Sequence, residues 1–140
     1  MLDVGCGTGI LELSALRFGA SRALALDLDP LATDAVLANA RINGLEDRIE
    51  TFLGPLEETP PTPVPVVLAN MIRSELFPVL PAIATRLAPG GALILSGLLA
   101  SEEPATRRLL DDLGLSWEAS KDRRDELGDH WLAVLATRSR

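Results

Sequence analysis

The stretch LDVGCGTG, residues 2–9, sets glycine at positions 5, 7 and 9 between a short apolar lead-in and a strongly apolar run at 10–18. Glycine lacks a Cβ, so positive φ and close approach of another group to the backbone cost it little. Three glycines on alternate positions between a strand-like and a helix-like segment read as strand, glycine turn, helix. A helix beginning near Gly9 aims its first amide N–H groups out beyond the strand end. The plain reading is a tight βα turn; the functional one is a cradle for a ligand.

The rest of the chain repeats that alternation. Residues 22–28 (RALALDL) form an apolar run ending in acid, and 30–42 follow as a helix, with Leu31, Ala35, Ala38 and Ile42 predicted to share its buried face. Pro30 suits the first helical turn, Asp29 suits the cap before it, and Asn43-Gly44 ends the helix. Residues 49–53 are a third strand candidate. After the proline-rich loop 59–65 come the apolar strand 66–70 and a helix over 74–87, expected to be irregular or split by Pro78 and Pro81. A turn at Pro89-Gly90-Gly91, a strand over 92–98, a helix over 102–113 and strands over 116–120 and 131–137 complete the pattern. Strands such as LALAL, VVLA and ALIL, apolar at nearly every position, suit a parallel sheet covered on both faces. The predicted class is α/β, doubly wound and Rossmann-like.

In such a sheet the ligand crevice lies beyond the carboxyl ends of the strands. The groups arriving there are the glycine turn after Val4, the Asp27–Asp29 segment, Gly54 and Asn70. A phosphate-binding P-loop needs Lys and Ser/Thr at the helix start, where this chain has Ile10-Leu11; the dinucleotide spacing GxGxxG also fails, because Gly9 follows Thr8 directly. Asp27, eighteen residues past Gly9 at a strand end, can accept hydrogen bonds from two ribose hydroxyls. Asn70 has two readings, a strand-ending helix cap and a polar group turned to a ligand in the crevice. Cys6 reads as loop packing, His130 as a surface or strand-edge residue, and Trp117 and Trp131 as core.

Composition narrows the partners. With 140 residues, 47% hydrophobic, the chain suits one domain with one core. One cysteine and one histidine allow neither an internal disulfide nor a zinc-type cluster, which fits a reducing cytoplasm and a site without metal. No apolar run is long enough to span a bilayer. A formal charge of −7 disfavours a broad nucleic-acid surface and favours a basic protein or a small molecule.

Taken in order, LDVGCGTG, ALDLDPLA, NARING, VVLANMI and LAPGGALILSGLL resemble the S-adenosylmethionine-dependent class I methyltransferases. Within that class they are most similar to the bacterial enzymes that methylate large-subunit ribosomal protein eleven on lysine and N-terminal amines. The resemblance covers nearly all of the chain. It implies a mostly parallel seven-stranded sheet and S-adenosyl-L-methionine as cofactor. Asp3, Gly5, Gly7 and Gly9 would lie around the methionine portion, Asp27 on the ribose, and Gly54 to Leu56 near the adenine. Asn70 would lie beside the reactive methyl group. It further implies an amine acceptor, on a basic protein or a small molecule, and a catalytic domain truncated within its first strand, without the family's N-terminal substrate-binding region. A non-catalytic fragment of such an enzyme and, more remotely, a dinucleotide-dependent oxidoreductase remain as alternatives.

Overall fold

The computed structural model describes all 140 residues. They form two compact units, Met1–Thr62 and Pro63–Arg140. The first contains β1 (Leu2–Val4), α1 (Ile10–Arg17), β2 (Ala23–Asp27), α2 (Pro30–Ile42) and β3 (Ile49–Leu53). Its strands run parallel in the order β3-β2-β1, with Leu2 opposite Leu24 and Ala23 opposite Ile49. The second contains β4 (Val64–Asn70), α3 (Arg73–Thr85), β5 (Leu87–Leu99), α4 (Glu103–Asp112), β6 (Leu115–Arg124) and β7 (His130–Arg138). Here β4 and β5 are parallel, and β7 lies antiparallel between β5 and β6. The predicted α/β class is the one observed.

Helix α2 begins and ends where the sequence places it. Asp29 is its cap, accepting a hydrogen bond from Leu31 N at 2.8 Å through Oδ1, and Pro30 fills the first helical position. Its buried face, however, is Thr33, Val36 and Ala40; the expected stripe is turned outward, with Leu31 74% and Ile42 83% exposed. Thr33, Val36 and Ala40 lie on one side of the helix at helical spacing, and that is the side turned to the turn and the strands, where Val36 sits beside Gly9.

Helix α3 is one continuous helix, not the irregular or split one expected. A proline in a helix interior removes a hydrogen bond and crowds the preceding turn, at a cost of ~3 kcal/mol. Pro78 and Pro81 both face solvent, where the carbonyls they leave unpaired can bond to water, while Leu76, Leu80 and Ile83 on the opposite face are fully buried. Burial of about 1.5–3 kcal/mol per such side chain outweighs the local penalty.

Strand β5 also departs from expectation, because Pro89-Gly90-Gly91 does not end a segment. Val64 pairs with Leu87 and Val66 with Ala92, so the Pro-Gly-Gly stretch is a bulge inside a longer strand. A Cβ on Gly91 would lie 2.8 Å from Ala88 O and 3.2 Å from Pro65 O, which is why the bulge needs glycine there. Strand β6 runs on to Arg124, beyond the apolar pattern that suggested 116–120, because residues 121–124 pair with 130–133 of β7. Neither tryptophan is fully buried: Trp131 is exposed, and Trp117 is half-buried beneath the Arg107 guanidinium, 3.8 Å from its ring centre. His130 is exposed at the strand edge, as expected.

A second irregularity in β5 falls at Gly97, where the register with β7 shifts between Leu95 and Leu98. Gly97 has φ +80, and a Cβ there would stand 2.9 Å from both Met71 N and Met71 O. Gly97→Ala is therefore expected to destabilise the fold by ~1–3 kcal/mol, the range for a forced backbone conformation, read as a lower midpoint in urea denaturation.

Candidate active site

In the first unit, the turn after β1 is held from three sides. Gly5 N and Cys6 N both donate to Leu26 O, at 2.9 and 3.0 Å, so the turn hangs from the end of β2. Asn39 of α2 donates through Nδ2 to Thr8 O at 2.8 Å. Gly7 N donates to Asp27 Oδ2 at 3.0 Å, while the other carboxylate oxygen, Oδ1, accepts from Asp29 N at 3.0 Å. Gly54 N, after β3, donates to the backbone carbonyl of Asp27 at 2.9 Å. Gly5, Gly7, Gly9, Asp27 and Gly54, singled out from the sequence, are thus gathered around the end of β2.

The glycines differ in what they allow. All three in the turn have positive φ: 74° at Gly5, 54° at Gly7 and 88° at Gly9. A Cβ on Gly7 would meet nothing within 4 Å, so its outer face is open to a ligand. Gly9 is closed in: a Cβ there would lie 3.1 Å from Glu12 Oε1 and 3.2 Å from Val36 Cγ2, so glycine lets α2 close against the turn. Gly54 has φ +147, with the Phe52 ring 2.8 Å from where its Cβ would be. Leu56 lies buried in a short 3-10 turn spanning Leu56–Glu58.

Asp3 is 1% exposed, and behind the turn it faces a residue that sequence reasoning missed. Glu12, in the first turn of α1, is 0% exposed, and no other side chain donates to the four carboxyl oxygens of Asp3 and Glu12. Burial, reinforced by the neighbouring Glu12 carboxyl, pushes Asp3 from its ordinary 3.8 up to about 9; burial likewise raises Glu12. The only signal of Glu12 in the sequence was an acid interrupting the apolar run ILELSAL, a position that otherwise reads as a solvated complement to the helix dipole. Cys6 is the small packing residue expected: it is buried, and burial together with Glu12, Asp27 and Asp3 pushes its thiol up to about 12, far from nucleophilic.

In the second unit, Asn70 is the last residue of β4. Its Nδ2 donates at 2.8 Å to the Oγ of Ser96, the residue it pairs with in β5. It does not cap α3, whose cap position is Ile72, with no side-chain hydrogen bond. A cavity of about 550 Å³ opens at this strand end, lined by Asn70, Ser96, Gly97, Lys121, Arg123, Trp131, Leu132 and Ala133.

A glycine turn with an open face, hung from an acid-ended second strand, is the arrangement of the class I methyltransferase fold. Comparison with solved structures agrees: a ribosomal protein L11 methylase from Lactobacillus delbrueckii subsp. bulgaricus superposes with a TM-score of 0.88, covering 99% of this chain and 69% of that one at 24% identity. Magnesium protoporphyrin IX methyltransferase from Synechocystis, solved with bound S-adenosylmethionine, gives a TM-score of 0.80 over 99% of this chain and 69% of that one, at 18% identity. The family model of ribosomal protein L11 methyltransferase (PrmA) matches residues 1–138, and this chain belongs to that family. A curated relative, ribosomal protein L11 methyltransferase of Pelobacter propionicus, is 37% identical over 139 residues. These are 99% of this chain but 43% of the relative, so the chain spans less than half of its length.

The carboxyl pair carries a pH dependence of defined sign. Because Asp3 holds its proton more tightly in the fold than in the unfolded chain, its contribution to stability is full below about pH 4 and is lost as pH rises through about 9. Denaturation midpoints of the wild type should fall between about pH 5 and pH 9, and Asp3→Asn should flatten that slope and exceed the wild type at the alkaline end. Parallel curves for the two proteins would contradict the assignment.

Proposed function

We propose that the 140 residues act as one S-adenosylmethionine-binding methyltransferase domain that transfers a methyl group to an amine nitrogen, with ribosomal protein L11 as acceptor. The observation that carries this reading is the Gly7–Asp27 hydrogen bond beneath the open face of Gly7, in a chain of the L11 methyltransferase family. The residues present fit the cofactor. Gly7 offers backbone without a side chain in the way, and each Asp27 oxygen retains acceptor capacity beyond its one backbone bond, as ribose hydroxyls require. Asp3, behind the glycine turn, would back the methionine portion, and Gly54 and Leu56 would follow on the adenine side. S-adenosylmethionine, when bound, supplies an electrophilic methyl on a sulfonium.

The chain's own part is alignment. In-line displacement depends on orientation and exclusion of water, so neither a metal nor a protein nucleophile is needed. An amine acceptor must be neutral to attack, although lysine is ordinarily protonated below about pH 10.4. With Nδ2 committed to Ser96, Asn70 leaves its side-chain carbonyl free to accept from an acceptor N–H and so to hold a neutral amine. A ribosomal acceptor places the reaction in the cytoplasm, and no helix of the chain is long and apolar enough to cross a membrane.

Calorimetric titration with S-adenosylmethionine, paired with transfer of labelled methyl to ribosomal protein L11, tests the proposal. Asp27→Ala should weaken cofactor binding by about 1–3 kcal/mol while the ligand-free protein still melts cooperatively; unchanged affinity would refute the ribose role. Asn70→Ala should cut methyl transfer by tenfold or more and leave cofactor affinity within about twofold, as befits a residue that orients the acceptor. An equal loss in both measurements would place Asn70 with the cofactor instead.

A further inference from the structure

The cavity at Asn70 contains a feature that methyl transfer to an amine does not by itself require. Lys121 and Arg123 stand two residues apart on β6, so both project from the same face of the strand, and they pair across to Ala133 and Trp131 of β7. All four line the cavity that Asn70 and Ser96 also border. Two acids nearby are engaged elsewhere: Asp122, on the opposite face of β6, lies 3.4 Å from His130 Nδ1. Asp125 is tied into the hairpin turn, accepting from Leu127 N and Asp129 N at 2.9 Å each. Its second oxygen accepts from Trp131 Nε1 at 2.8 Å, which fixes the indole as one wall.

Neither Lys121 nor Arg123 is in an ion pair, although acids outnumber bases in this chain, 20 to 13. Two unpaired cations converging on a concave site with an apolar wall are suited to a carboxylate on a short aliphatic stem. A continuous polyanion would need a run of basic residues beyond the cavity, where this hairpin carries Asp122, Asp125, Glu126 and Asp129 against Arg124 alone.

We infer that Lys121 and Arg123 form an acceptor-specificity site, which binds an acidic side chain lying close in sequence to the target amine while Asn70 holds the amine itself. The inference rests on the reading of Asn70 as the acceptor-side residue. It narrows the acceptor from any accessible amine to a lysine or N-terminus with an acidic neighbour.

Trp131 reports occupancy directly. Trp117→Phe leaves it as the sole indole, since the chain has two tryptophans. Its fluorescence can be titrated, with S-adenosylhomocysteine present, using two lysine peptides that differ only in Glu or Gln two residues from the lysine. The Glu peptide is expected to bind about five- to tenfold more tightly at low salt, the advantage of two exposed charge contacts, and to lose that advantage at high salt. Lys121→Gln with Arg123→Gln should abolish the preference, whereas Lys121→Arg with Arg123→Lys should keep it, separating charge from any effect on folding. Equal affinities, a preference that survives the neutral double variant, or no quenching by either peptide would overturn the inference. So would a short single-stranded RNA that displaces the Glu peptide at lower concentration, which would assign the cations to phosphate. Methyl transfer measured on the same peptides separates the two readings. Transfer without a Glu preference sinks the specificity site alone; Glu preference without transfer sinks the amine reaction and leaves the binding site standing.

Discussion

The first unit depends on one carboxylate. Asp27 ends β2, and its two oxygens reach in opposite directions along the chain, back to Gly7 in the turn after β1 and forward to Asp29 at the start of α2. Its own backbone carbonyl takes Gly54 N from the segment after β3. One residue thus sets the mutual placement of three strand ends. Because carboxylate bonds to backbone N–H groups are charge-assisted, they are stronger than the neutral bonds around them. The same side chain holds the turn and faces the ribose in the proposed cofactor site, so the preorganisation that favours binding is inherent in the fold.

Beneath that frame lies a cost. Asp3 and Glu12 are buried with no other side chain donating to their four oxygens, whereas buried polar groups in native proteins nearly always find partners. The raised titration of both carboxyls is the fold's response, keeping a proton where a charge would be poorly solvated.

What could be read from the sequence was what local chemistry decides. Asp29-Pro30 and Asn43-Gly44 mark both ends of α2 because capping and positive φ act within a few residues. The glycine turn and Asp27 were legible for the same reason, as special backbone needs at strand ends. The face that α2 buries was not, because apolar residues recur at helical spacing on more than one side of this helix, and the choice is made by tertiary contact, where Val36 packs beside Gly9. Nor was the continuity of α3 through two prolines, which rests on leucines buried by tertiary packing. Glu12 escaped notice because its burial depends on α1 closing over Asp3, and the cations of β6 because only pairing with β7 aligns them with Trp131.

The position of Cys6 makes the molecule its own sensor. The chain's one thiol sits inside the glycine turn, where burial and three neighbouring acids suppress its ionisation. Thiolate, not thiol, reacts with alkylating reagents, so modification requires the turn to swing away from Glu12 and Asp27. The rate at which sulfur is labelled therefore counts the openings of the ligand loop, a local breathing motion that can be timed without introducing any probe into the protein.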